Sequence, residues 1–240
     1  LNDDVTRGAL YLVPVSLGNA PWEHFLPQQV QRIAAGLRHF VVENAKTARA
    51  QLKLLDFPAA LRDTDIRELP REESPAALDA LLAPALGGHD MGLMSEAGCP
   101  AVADPGARLV ARAHALGIRV VPLVGPSSIL LALMASGLNG QSFAFHGYLP
   151  VAEAERDARL RALEDESRRQ QCTQIFIETP YRNDRMLDAL LRVCRAETRL
   201  CVARDLTTAD EWVASRSIAQ WRKAPHPELA RHPALFLLLA

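Results

Sequence analysis

Short apolar runs recur through the first half of the chain, alternating with stretches of helical spacing. Leu10–Val15, Phe40–Val42, Ile66–Leu69, Met91–Met94 and Ile118–Leu123 read as strands. Gln28–Leu37, Lys46–Leu55, a segment opened by Ser74-Pro75 and another running to about Ala115 read as helices. Ser74 suits an N-cap with Pro75 at the first helical position, and Asp104-Pro105 repeats that start. Strict alternation of strand and helix predicts a mainly parallel sheet with helices on both faces.

The second half departs from that rhythm. Ser127–Ser136 reads as a helix, Phe143–Phe145 as a strand, Ala152–Arg169 as an exposed helix, Ile175–Glu178 as a strand and Asn183–Arg195 as a helix. Leu200–Arg204, Trp212–Ala214 and Leu235–Leu239 then follow as strands, with Ser217–Gln220 resembling a capping box. Fewer helices between the late strands predict a mixed sheet. The expected organisation is therefore two α/β domains, 1–124 parallel and 125–240 mixed.

Composition narrows the function classes. The 240 residues, 49% of them hydrophobic, suffice for a sizeable core. The 27 Lys and Arg against 28 Asp and Glu leave a net charge of -1, so any nucleic-acid contact rests on local cations rather than a general attraction. Four scattered cysteines without a CxxC pair suit a reducing cytoplasm. The seven histidines show no ligand spacing, so no metal site is expected. The opening Leu1-Asn2-Asp3-Asp4 is polar and acidic, without a secretory pattern. From Val120 to Ala152 there is no Asp, Glu, Lys or Arg, but Pro122, Gly125, Pro126, Ser127 and Ser128 interrupt the run. A membrane span needs about 20 continuous apolar residues, so a buried strand, loop and helix are expected instead.

Ligands of open α/β sheets bind beyond the carboxyl ends of strands. Three loops stand there. Pro14–Asn19 follows the first strand, and read alone it is as much a plain turn as a binding loop. Ser95–Gly106 carries two glycines, two prolines and two acids, Glu96 and Asp104. Asp104 is expected to cap the next helix, whereas Glu96 fits a binding role as well as a structural one. Val124–Ser128 places hydroxyls at a helix start, where free N–H groups receive a carboxylate or Ser simply caps. There is no GxGxxG fingerprint, phosphate loop, HExxH or GxSxG motif.

Six strings in collinear order resemble the tetrapyrrole methylase superfamily, and within it the bacterial family that 2′-O-methylates a cytidine of small-subunit ribosomal RNA. They are Leu10–Asn19, Met94–Val110, Gly117–Leu138, Phe145–Pro150, Glu178–Arg182 and Ala203–Thr207. The resemblance implies two α/β domains with S-adenosylmethionine (SAM) in the cleft between them, and a homodimer. Carried over by position, it implies cofactor contacts from Leu17, Glu96, Cys99, Ser127, Ser128 and Tyr181. A ribose hydroxyl gains from a base or from stabilisation of developing charge, and Glu43 and Lys46 are the candidates.

The chain reads as a diverged, shorter relative. The acidic E-D-T-R string usual in that RNA family is Glu43-Asn44-Ala45-Lys46 here. Lys in place of Arg gives up bidentate phosphate recognition. The expected acceptor is ribosomal RNA or the small ribosomal subunit, with Arg182 and Arg204 as local cations. A small-molecule or protein acceptor and a SAM-binding module without catalysis are the alternatives.

Overall fold

The computed structural model describes residues 6–18, 20–55 and 61–240. Asn19, expected to end the first loop, lies outside the described residues. The chain divides into two compact units, the first ending at Ser127 and the second running from Ser128 to Ala240.

The first unit holds five strands: β1 (Ala9–Leu12), β2 (His39–Val42), β3 (Asp65–Glu68), β4 (Met91–Met94) and β5 (Arg119–Pro122). They pair in the order β3-β2-β4-β1-β5, every pair parallel. The helices are α1 (Gln28–Gly36), α2 (Ala45–Leu52), α3 (Pro75–Leu86) and α4 (Ala107–Ala115). Side chains alternate across a strand, so one strand feeds two cores. Phe40, Val42 and Met94 pack with Val30 and Ala34 of α1 and Ala48 and Leu52 of α2. Val41, Met91 and Leu93 pack with Leu78 and Leu82 of α3 and Leu109 and Ala113 of α4. Both faces of β2 and β4 are thereby covered, which is why these two strands read as apolar runs.

Two local expectations are corrected by the structure. The strand expected over Leu10–Val15 leaves the ladder after Leu12, because Pro14 has no N–H to contribute. Asp104 does not cap the following helix. Gly106, at φ 121°, occupies the N-cap, and no side chain bonds the first turn of α4. Ser74 does cap α3, its Oγ accepting from the Ala77 N–H at 3.2 Å.

The second unit contains α5 (Ser128–Ser136), β6 (Phe143–Tyr148), α6 (Glu153–Gln170), β7 (Thr173–Ile177), α7 (Asn183–Val193), β8 (Arg199–Arg204), β9 (Trp212–Ser217), α8 (Ile218–Trp221) and β10 (Ala234–Leu239). The strand order is β6-β7-β10-β8-β9. Only the β6–β7 pair is parallel, so the sheet is mixed. Phe176, Leu200, Val202, Phe236 and Leu238 share a core with Leu160 and Leu163 of α6, Met186, Leu187 and Leu190 of α7, and Trp221 of α8. The alternate residues Cys201, Ala203, Leu235 and Leu237 are also buried, and α5 packs against β8, β9 and β10. The Ser217 capping box forms as expected, with Gln220 reaching back to the cap N–H at 2.9 Å. Among the described residues no helix is long and apolar enough to cross a membrane.

Phe236 is fully buried and stacks on Phe176 with centroids 5.9 Å apart. Phe236→Ala is expected to cost the second unit about 3–5 kcal/mol, from lost transfer energy plus a cavity. Chemical denaturation followed by tryptophan fluorescence checks this, since Trp221 lies in the same core.

Candidate active site

All five strands of the parallel sheet send the chain out at one edge, and the loops after β1, β2, β4 and β5 carry the candidate residues. The loops after β1 and β4 are joined through backbone. The Val15 N–H donates to the Gly98 carbonyl at 2.9 Å, and the Gly98 N–H donates to Ser16 O at 3.4 Å. Gly98 sits at φ 68°, where a side chain is strained, and an added Cβ would lie 3.1 Å from Leu17 Cδ2 and 3.4 Å from Pro126 O. The β5 exit presses equally close, since a Cβ on Gly125 would meet Pro14 Cβ and Cγ at 2.2 Å. Glycine at these crossings lets the three loops pack directly against one another.

The β1 loop is braced from α2. Gln51 Nε2 donates to Ser16 Oγ at 3.4 Å, and Gln51 Oε1 accepts from the indole of buried Trp22 at 2.9 Å. In the β4 loop, Ala101 and Ala103 hold φ of 64° and 61°, a left-handed backbone rare for residues with a Cβ. Such conformations persist only where the surroundings over-determine them, and they concentrate at ligand sites.

Three carboxylates lie near one another here. Glu43 follows β2 directly, its N–H donating to Met94 O at 3.3 Å. Glu96 stands two residues beyond β4, exposed, its Oε1 accepting from Thr47 Oγ1 at 3.0 Å. Asp104 is half-buried in the β4 loop. Burial, the Asp104 charge and the Glu96 charge push the Glu43 carboxyl up, against a hydrogen bond with the Glu96 backbone. Glu43 Oε2 is sealed from solvent without a partner. Burial also pushes Asp104 up, opposed by a hydrogen bond with the Ser95 side chain and assisted by the Glu96 charge. The neighbouring Asn44 caps α2, its Oδ1 accepting from the Lys46 and Thr47 N–H groups at 2.9 and 3.1 Å. Lys46 itself is exposed in the first turn of that helix.

Cys99 lies against the β5 exit, its Sγ 3.2 Å from Pro126 O. Burial pushes its thiol up, so it acts as a protonated donor rather than a nucleophile. Leu17, Cys99 and half-buried Ser127 therefore converge through Gly98 and Pro126, with Glu43 and Glu96 on the same edge. Ser128, the first residue of α5, and Tyr181, 81% exposed, belong to the second unit. Among the described residues, no group of His, Cys, Asp or Glu is arranged to hold a metal.

Several contributors carry no clear mark in the sequence. Thr47 and Gln51 tie α2 to the loops, and nothing in their spacing signals it. Val102 and Val124, 50% and 70% exposed, offer apolar surface in the β4 and β5 loops. A signal does exist for these two, as valines standing in loops rather than strands.

Residues 10–221 match the family model described as Tetrapyrrole (Corrin/Porphyrin) Methylases. The chain is 34% identical over 222 residues to the ribosomal RNA small subunit methyltransferase I of Pseudomonas aeruginosa, covering 90% of this chain and 72% of that one. It is 37% identical over 204 residues to the protein of the same name from Mesorhizobium japonicum, covering 85% and 65%. The crystal structure of the methyltransferase CobJ shares the fold, with a TM-score of 0.63 at 18% identity over 97% of this chain and 94% of that one. By the match over most of its length, the chain belongs to the tetrapyrrole methylase family of methyltransferases.

Proposed function

We propose that the chain transfers a methyl group from SAM to a ribose 2′-hydroxyl of small-subunit ribosomal RNA. The observation that carries this reading is likeness over about nine-tenths of the chain to proteins named ribosomal RNA small subunit methyltransferase I. Methyltransferases of this family use SAM in general.

The residues of the first unit fit such a cofactor. Leu17, Val102 and Val124 supply apolar surface for an adenine. Glu96, exposed and steadied by Thr47, can accept from ribose hydroxyls. Ser127 can donate its hydroxyl to the methionine carboxylate. When bound, SAM supplies a methyl group already activated by its sulfonium. The work left to the chain is alignment, and removal of a proton from the acceptor hydroxyl. Glu43 is the base in this reading. Its surroundings oppose the ionised form, which makes the carboxylate a stronger base than an exposed one. Lys46 stands three residues along and offers positive charge to the developing oxyanion.

Calorimetric titration is expected to give saturable binding of SAM and S-adenosylhomocysteine, one per chain. Glu96→Gln should weaken it about tenfold, the worth of one charge-assisted hydrogen bond. No binding by the folded protein would sink this reading. Glu43→Gln is expected to cut tritiated-methyl transfer to small ribosomal subunits by about 10²–10⁴-fold while leaving SAM affinity unchanged.

The same substitution has a thermodynamic signature. The folded-state pKa of Glu43 is raised, so its ionisation opposes folding. Wild-type stability should fall as pH rises from the usual carboxylate value of 4.5 through that raised value, and stay lower above it. Glu43→Gln should lack that component of the fall and melt about 1–2 °C higher at neutral pH. A variant that melts lower than wild type there would mean the carboxylate stabilises the fold.

A further inference from the structure

Buried charges in proteins are paired, because desolvating an uncompensated ion is costly. The buried acids of the second unit are all engaged. Asp157 binds Arg192 at 2.5 Å, Glu178 accepts from Arg182 at 2.6 Å, and Glu164 accepts from the Arg195 backbone N–H at 2.8 Å and from the Thr198 hydroxyl. Arg156, in the first turn of α6, is only 8% exposed. Among the described residues no carboxylate lies within salt-bridge distance of it, its guanidinium makes no hydrogen bond, and its Nε is sealed off without a partner. The adjacent Asp157 is hydrogen-bonded to Arg192 and acts on Arg156 only through its charge.

A second guanidinium in this unit also lacks a carboxylate. Arg204 ends β8, held by Nη1 donating to Glu228 O at 2.7 Å and by the Trp212 ring 5.8 Å away, with Nε unpartnered. The sheet register puts both near one edge. Tyr148 of β6 pairs with Ile177, Ile177 with Leu235, and Leu235 with Ala203. The 149–152 segment that starts α6 therefore leaves the same edge at which Arg204 stands. Between them the loops hold further unpartnered polar atoms: Thr179 Oγ1, Thr207 Oγ1 and, in fully buried Asn183, Oδ1. Acids at this edge are mostly engaged. Glu178 is bound to Arg182, Asp205 to His232 at 2.6 Å, and Glu211 to the Thr207 N–H at 2.7 Å, while Asp184 keeps Oδ1 unpartnered.

We propose that Arg156 and Arg204 are phosphate ligands for the acceptor RNA, marking two ends of a strip along this sheet edge. The proposal rests on the RNA acceptor reading above. A guanidinium fork matches phosphate oxygens bidentately. Arg156 stands on α6 and Arg204 on β8, and an RNA strand carries several phosphates with which to meet both. Recognition by a few placed arginines also suits a chain of net charge -1.

The proposal is tested by fluorescence anisotropy with a short fluorescein-labelled single-stranded RNA, repeated across salt concentrations, beside calorimetry with SAM. Arg156→Gln and Arg204→Gln should each weaken RNA binding about tenfold and lower the log–log salt slope by about 0.7. SAM affinity should stay within about twofold, since no cofactor contact is removed. Arg169→Gln, roughly 20 Å along α6, should change neither. Arg156→Gln should melt about where wild type does, because it removes no hydrogen bond or salt bridge. Arg204→Gln keeps the proposal falsifiable should the buried variant unfold. Wild-type RNA affinity and salt slope in both variants would overturn the proposal. So would loss of SAM affinity alone in Arg156→Gln, which would assign that guanidinium to the cofactor carboxylate. Arginine-dependent RNA binding by a protein that does not bind SAM would support the strip while overturning the cofactor reading, so the two failures are distinguishable.

Discussion

Backbone pairing between Val15 and Gly98 joins the loops leaving β1 and β4, and the chemistry of the first unit is arranged around it. Pro14 takes the chain out of the β1 ladder, which frees Val15 to pair with another loop instead of with a strand. Gly98 makes that pairing possible, since its φ of 68° is strained for any residue with a side chain. Leu17, Cys99 and Pro126 then crowd onto the same glycine. Enlarging Gly98 would disturb all three loops together.

The acidic cluster follows from strand order. β2 and β4 are separated in sequence by β3 and α3 but are neighbours in the sheet. Parallel pairing of Val42 with Met94 brings the residues just beyond them, Glu43 and Glu96, to one edge. Asp104 joins because the β4 loop turns back through Ala101 and Ala103 in left-handed backbone. Carboxylates placed so close resist ionising together, and burial adds to the effect at Glu43 and Asp104. The fold thus sets aside acids with altered proton affinity where ligands of open α/β sheets bind. The second unit concentrates unpartnered polar groups at one edge of its own sheet, including a buried arginine that, among the described residues, has no hydrogen-bond or salt-bridge partner. Groups held at such a cost are candidates for contacts made only with a ligand.

Much of this architecture is legible in the residues. The inner strands β1, β2 and β4 are covered on both faces, so they read as apolar runs, and alternation with helices implies parallel pairing. Capping chemistry is local, so Ser74 and Ser217 act as their spacing implies. The departures arise where a local signal meets a non-local competitor. Asp104 precedes Pro105 as an N-cap does, yet the helix begins beyond Gly106 and the carboxylate hydrogen-bonds with the Ser95 side chain instead. Asn44 in place of an acid looks like loss of a functional group, and the structure gives its amide to the cap of α2.

By itself the sequence determined the strands, helices and loop residues of this protein, and the family that collinear motifs identify, because these depend on neighbours a few positions apart. Only the tertiary structure decided which carboxylates share a field, which backbone crossings demand glycine, and which buried guanidinium goes unpaired. Those properties depend on distances between residues far apart in the chain, and strand order and desolvation, not local spacing, set them.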